Sequence, residues 1–483
     1  LNLQEKQRLS WLIQKDTLRA QQAETDIAET RQALADLIRD FETRYPAYYR
    51  LRYHWQTATP KTVQQQVLQS DQALLEYVVS DSAIFVFVIA SDQFHFLRLA
   101  RHFPLDEWVA ALRHSLQAYP EAAGTAAAEL AHTYTDLAFR LYETIVAPVQ
   151  AAVPLPKKWI IAPDGALAYL PFECLLRERP ADFSRFKSHR YLVRDYQISY
   201  AYSATQQAEL LQKPAQSAGK GLFAVAPSYD NSPFGLRPLQ HNRPEVRAVQ
   251  ALFGGDLLEG PAATVPAFLR EAARYRVLLL ATHGQAGSSV GDLSYLAFSG
   301  TDSTVSPFLY ARDLYHLSLP ADMVVLSACE TSVGEYRLGQ GVISLAKGFF
   351  HAGARSVVAT LWSVDDAKNA ELIRLFFQQI KAGSSKDEAL RRAKLDFLQT
   401  HAHDEAHPVY WAAVTAYGDM QAIDFQEFNW WWVVAAGAVV LVGFGFMVRR
   451  NYWRNKKAVG WFGDLKLYFT FTSSRKRRQA CGR

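Results

Sequence analysis

Apolar strands alternating with amphipathic helices through the second half of this 483-residue chain predict an α/β fold, a mainly parallel sheet covered by helices. Short β-branched and aromatic runs between residues 73 and 99 predict a smaller α+β subdomain ahead of it, behind N-terminal helices. A charge-free run near the C-terminus adds one transmembrane helix to the expectation.

Residues 1–45 are polar and free of Gly and Pro, with Ile13, Ala20, Ile27, Leu34 and Phe41 recurring every seven positions, which fits one or two long helices. Asp16 and Thr30 break the second apolar seam of a coiled coil, so 1–58 read as the last helices of an upstream array. The chain begins Leu-Asn-Leu, without a basic segment leading into an apolar run, and is expected to be the C-terminal part of a longer product whose upstream part carries a sensor.

From residue 59 the pattern changes. Runs at 73–79, 83–90 and 94–99, separated by Asp and Ser turns, predict a β-meander. Helical stretches at 105–118 and 125–146 flank Pro120 and Gly124, and an apolar strand at 159–162 ends at Pro163-Asp164-Gly165, a turn signal. A Gly, Ser, Ala and Lys-rich linker at 213–221 separates this subdomain, 59–215, from a second one, 216–420. There, strands are predicted at 222–225, 276–281, 323–327 and 356–361, and helices near 244–252, 265–273, 342–351, 366–382 and 386–399.

Composition restricts the possible functions. With 49% hydrophobic and 20% charged residues the chain can build a core and is not a disordered type. The net charge of +5 is uneven: residues 449–483 alone carry +10, which leaves 1–448 near −5 and removes electrostatic support for nucleic-acid binding. Cys174, Cys329 and Cys481 lie far apart without CxxC spacing, which excludes a disulfide framework or a cysteine-rich zinc site.

The uncharged 19 residues from Trp430 to Val448 open on three tryptophans and run into Arg449 and Arg450. At ~1.5 Å per residue such a helix spans a ~30 Å hydrocarbon core. With the basic tail 449–483 on the cytoplasmic side, the folded domain is expected outside the cytoplasm, in the periplasm of a bacterial cell.

A cysteine peptidase needs a thiolate, an imidazole to move its proton and backbone donors for the oxyanion. The predicted strand 276–281 runs directly into Thr282, His283 and Gly284, and the strand 323–327 into Ala328 and Cys329. If the strands are parallel, both side chains arrive at one edge of the sheet. Gly284, lacking Cβ, lets its N–H approach a substrate oxygen, so it forms a candidate oxyanion hole with the Cys329 amide.

Three weaker signals are read as structural. Gly287–Gly291 matches GxSxG but lacks the strand and helix that a nucleophile elbow requires. His401, His403, Asp404, Glu405 and His407 miss metal-helix spacing and read as a solvated loop, so no metal or cofactor is expected. Gly339-Gln340-Gly341 lacks the rest of a phosphate loop, Cys174 reads as a buried thiol, and Cys481 lies in the tail.

The segments Leu280-Ala281-Thr282-His283-Gly284, Val325-Leu326-Ser327-Ala328-Cys329-Glu330-Thr331 and Gly353-Ala-Arg-Ser-Val-Val-Ala-Thr-Leu-Trp362 closely resemble the CHAT family, within the caspase, separase and gingipain group of cysteine peptidases. The stretches 159–175, 192–205 and 407–418 extend the likeness over about residues 60–420. The resemblance implies His283 as general base, Cys329 as nucleophile, a protein or peptide substrate, and gating by upstream tetratricopeptide-like repeats or a partner protein. Relatives that cut after Arg or Lys carry an acidic pocket residue, which makes Asp365 and Asp366, beside Trp362 and with Glu330, the pocket candidates. The alternative is a catalytically silent interaction module on the same fold.

Overall fold

The computed structural model describes residues 16–44, 57–212, 219–230, 232, 234–285, 294–300, 306–327, 335–337, 341–343, 345–425, 443–447 and 449–450. The chain divides into two units, Leu1–Ile423 and Asp424–Arg483.

The first unit opens with helix α1 (Thr17–Arg44), on which Ala23 and Ile27 are buried. The meander follows as β1 (Gln72–Val79), β2 (Ala83–Ala90) and β3 (Phe94–Ala100), antiparallel in turn, with the outer strand β3 leaving Phe94 and Phe96 exposed. Helices α2 (Leu105–Ala118) and α3 (Gly124–Leu141) pack on each other, and α3 runs on into a π turn at Tyr142–Val146.

Apolar β4 (Lys158–Ala162) pairs in parallel with β1, Ala73 opposite Trp159, so the meander is not a separate sheet. It is the margin of a continuous eleven-stranded one. The other members are β5 (Gln197–Tyr200), β6 (Lys220–Pro227), β7 (Asp256–Gly260), β8 (Tyr275–Leu280), β12 (Met323–Leu326), β15 (Ser356–Thr360) and β16 (Val414–Gly418). The spatial order is β3-β2-β1-β4-β5-β16-β15-β12-β8-β6-β7. Antiparallel pairing is confined to β1–β2, β2–β3 and β15–β16, and the rest is parallel as expected.

Between these strands lie two smaller ladders. One joins β9 (His283–Gln285), β10 (Tyr295–Ala297) and β11 (Phe308–Tyr310), and the other pairs β13 (Glu335–Arg337) with β14 (Gly341–Ile343). The helix expected at 342–351 therefore starts later, as α6 (Leu345–Ala352), after α4 (Asn242–Phe253) and α5 (Val265–Glu271). Helix α4 packs on β6 and β7 and against α7 (Asp366–Lys381), which in turn packs on α8 (Lys386–Thr400). The buried stripe of α7, Leu372, Ile373, Phe376, Phe377 and Ile380, has the spacing of one helix face. Each such side chain contributes about 1.5–3 kcal/mol on burial.

One ion pair inside this core ties distant segments together. Lys394 of α8 bonds Glu173 at 2.8 Å with side chains 1% and 3% exposed. The Tyr200 hydroxyl at the end of β5 donates to the other Glu173 oxygen and accepts from the Phe172 N–H at 2.8 Å.

In the second unit, 443–447 and 449–450 are helical. The expected transmembrane helix over 430–448, and with it the single-pass topology and extracytoplasmic placement, is corrected: among the described residues no helix is long and apolar enough to cross a membrane. Of the expected span, residues 430–442 and 448 lie outside the described residues.

Replacing Lys394 by Met leaves the Glu173 charge buried without its cation, and is expected to cost about 3–5 kcal/mol in urea unfolding.

Candidate active site at the carboxyl ends of three parallel strands

Strands β6, β8 and β12 are parallel neighbours, so their carboxyl ends share one edge. Leu280 ends β8 opposite Leu326 at the end of β12. His283 and Cys329 each stand three residues further along in sequence, on chains that leave strands ~4.8 Å apart. Cys329 and Glu330 themselves lie outside the described residues, as do Gly287–Gly291 and Cys481.

On the other side of β8, Val225 of β6 lies opposite Leu280 and accepts a hydrogen bond from the Ala281 N–H at 2.9 Å. The chain leaving β6 brings Tyr229 against the histidine. The Tyr229 hydroxyl accepts from the His283 N–H at 3.0 Å and donates to the Ala297 carbonyl at 2.7 Å, with its ring centroid 4.7 Å from the imidazole. Burial pushes this phenol well above its usual pKa, so it remains a donor. His283 opens β9 opposite Ala297, and Gly284 follows opposite Leu296.

The partly buried imidazole has its Nε2 2.7 Å from the Arg237 carbonyl oxygen. A carbonyl only accepts, so this contact assigns the hydrogen to Nε2 and leaves Nδ1 with the lone pair. The ring is thus oriented by one backbone acceptor and steadied by one aromatic neighbour.

Beneath the end of β12 lies a buried polar trio. Ser327 donates to Glu245 Oε2 of α4 at 2.9 Å and accepts from Asn369 Nδ2 of α7 at 2.8 Å. Asn242, one turn before Glu245, donates to the carbonyls of Pro227 at 2.9 Å and Ala281 at 3.4 Å, which links α4 to the ends of β6 and β8.

The pocket candidates separate. Trp362 is fully buried, its Nε1–H donating to the Val409 carbonyl at 2.9 Å. Asp365 caps α7 by accepting from the Lys368 N–H at 3.0 Å, and Asp366 accepts from the His241 N–H at 2.7 Å, at the start of α4. Both carboxylates therefore sit at the helix ends that border the trio.

The histidine-rich loop needs one correction. His407 is buried rather than solvated: it stacks on Tyr119 with centroids 3.9 Å apart, meets Phe186 edge-on, and caps a short helix by accepting from the Val409 N–H. Burial holds its imidazole neutral, well below the usual pKa. Among the described residues no group of three or more His, Cys, Asp or Glu could hold a metal ion. Cys174 is fully buried, and its thiol donates to the Pro171 carbonyl at 3.1 Å.

Sequence reasoning reached His283 through its strand end but passed over Tyr229, the Arg237 carbonyl, Glu245 and Asn369. Tyr229 carried the same signal, since it follows the predicted strand 222–225 and its Pro227 terminus. The other roles depend on contacts across the fold.

A large, mainly parallel sheet covered by helices defines a mixed α/β protein. The chain belongs to the CHAT domain family, which it matches over residues 135–419. It is similar to tetratricopeptide repeat protein 28 of Homo sapiens, 32% identical over 110 residues that make up 23% of this chain and 4% of that protein. The Mus musculus protein of the same name is 30% identical over 110 residues, with the same coverage of 23% and 4%. This chain thus spans only a small part of the curated relatives it matches, and their mammalian origin gives no support to the expected bacterial one. Among solved structures it resembles the Saccharomyces cerevisiae separase–securin complex, with TM-score 0.52 and 10% identity over 75% of this chain and 31% of that chain, a likeness of fold.

Tyr229→Phe removes the acceptor of the His283 N–H and is expected to cost about 1–3 kcal/mol, read as a lowered urea midpoint with an unchanged slope.

Proposed function

We propose that this chain is a cysteine endopeptidase that cleaves protein substrates with His283 as general base and Cys329 as nucleophile. The observation that carries the reading is the common three-residue offset of the two from paired Leu280 and Leu326, at the carboxyl edge of a parallel sheet. Membership of the CHAT family agrees with it.

In this mechanism Nδ1 of His283 takes the thiol proton while Nε2–H stays bonded to the Arg237 carbonyl, which disperses the imidazolium charge. The thiolate attacks the scissile carbonyl, and the Gly284 and Cys329 N–H groups receive the developing oxyanion. The imidazolium returns its proton to the leaving amine. Water then hydrolyses the thioester and frees the thiol.

Asp365 and Asp366 would select Arg or Lys before the scissile bond. Gating by an upstream repeat region or a partner protein follows from two likenesses: a relative named for tetratricopeptide repeats and a separase solved with securin.

Two measurements test these assignments. A peptide-based thiol electrophile is expected to label Cys329 in the native chain, at least about 100-fold more slowly in His283→Ala, and not at all in Cys329→Ala. Equal labelling of the native chain and Cys329→Ala would support a catalytically silent interaction module instead. In a positional-scanning peptide library the native chain is expected to favour Arg or Lys, and a flat profile would leave Asp365 and Asp366 as helix-terminal residues alone.

A further inference from the structure

The trio beneath β12 is built from three elements remote in sequence, with Glu245 4% and Asn369 8% exposed. On α4 the buried positions are Asn242, Glu245, Val246 and Val249, the spacing of one helix face, so a carboxyl stands where an apolar residue would serve the core better. Asn369 interrupts the apolar stripe of α7 in the same way. A buried polar group of this kind costs stability unless its hydrogen bonds are made.

The bonds made here converge on Ser327. Its hydroxyl donates to one Glu245 oxygen and accepts from the Asn369 amide, which fixes its rotamer from both sides. Among the described residues two atoms find no partner, Glu245 Oε1 and Asn369 Oδ1, and both are acceptors when the glutamate is ionised. A single proton on Oε1 turns one of the two into a donor. Ser327 is the last described residue before the segment that carries Cys329, two positions on.

We propose that Glu245 is a positioning residue for the nucleophile: together with Asn369 its buried carboxyl clamps Ser327 and so holds the exit of β12 that delivers Cys329. This rests on the peptidase reading for its consequence but not for its chemistry.

The electrostatic setting agrees. Burial pushes the Glu245 carboxyl up to about 8, offset by the Ser327 hydrogen bond and aided by the Asp366 charge on α7. Cations on the packed elements are engaged elsewhere: Arg247 of α4 bonds Glu259 of β7 at 2.6 Å, Lys220 of β6 bonds Asp256 at 3.0 Å, and on α7 Lys368 pairs with Glu405 at 3.4 Å while Lys381 donates to the Leu252 carbonyl. Strand β12 carries no charged residue, and Arg243 lies beside Gly260 of β7. No cation therefore compensates an ionised Glu245 among these groups, and deprotonation would leave a buried charge facing Asp366.

The native carboxyl thus keeps its proton through a range in which the unfolded one, with a pKa of 4.5, has lost it. Its contribution to stability is complete below about 4.5, declines as pH rises from there towards 8, and is gone above.

The test compares the native chain, Glu245→Gln, Glu245→Ala and Ser327→Ala, following alkylation of Cys329 by iodoacetamide by mass spectrometry from pH 6 to 9.5. Glu245→Gln, neutral at every pH, is expected to react two- to fivefold more slowly than the native chain at pH 6–7 and to overtake it above about pH 8, as the native clamp ionises. Glu245→Ala and Ser327→Ala are expected to lose tenfold or more throughout. Thermal melts in a Cys329→Ala background check the acid itself: the native melting temperature is expected to fall by several degrees relative to Glu245→Gln between pH 5 and pH 8. A constant native-to-Gln reactivity ratio across the range, with parallel melting curves, would overturn the proposal. Neither readout needs proteolysis, so a chain that alkylates and melts as expected but cuts no substrate would refute the peptidase reading and leave the clamp standing.

Discussion

Parallel pairing of β6, β8 and β12 is the constraint on which the site depends. Parallel strands all end on one edge, so three chain exits that are far apart in sequence open onto a common margin without any loop having to reverse. Tyr229 leaves β6, His283 leaves β8 and the segment of Cys329 leaves β12. Register does the rest, because Val225, Leu280 and Leu326 lie at one level across the sheet. A one-residue slip of β12 would reverse the faces of its side chains and remove Ser327 from the acid and amide that hold it.

The helices behind this edge do more than cover apolar strands. The first turns of α4 and α7 place Asn242, Glu245 and Asn369 near the strand exits, and their bonds run to the ends of β6, β8 and β12. Asp366 also binds the backbone at His241, so the two helices are joined at their starts. The imidazole is held differently, by one backbone carbonyl and one tyrosine, both from the segment after β6. Orientation of the imidazole and anchoring of the β12 exit thus come from separate parts of the chain.

Much of this was legible in the sequence. The apolar runs of β8 and β12 are unbroken, so their ends could be placed, and His283 was found at one of them. The edges of β1, β2 and α2 were legible too, because Asp, Ser and Pro mark them. Strands β5 and β16 were not, since buried Gln197, Ser199 and Thr415 break the apolar pattern. Their polarity is satisfied by bonds across the fold, as from Thr415 to the Ala359 carbonyl, 56 residues away. Glu245 and Asn369 escaped for the same reason: their meaning lies in Ser327, 82 and 42 residues distant. The spanning helix expected from Trp430 found no counterpart among the described residues.

The central claim is that the imidazole of His283 serves the sulfur of Cys329, and the pH dependence of Cys329 alkylation in the native chain and in His283→Ala tests it most directly. A histidine that pairs with the sulfur stabilises the thiolate, so the native rate should level off at a pH at least one unit below that of the variant. Superimposable profiles for the two proteins would place the residues in separate environments and contradict the account.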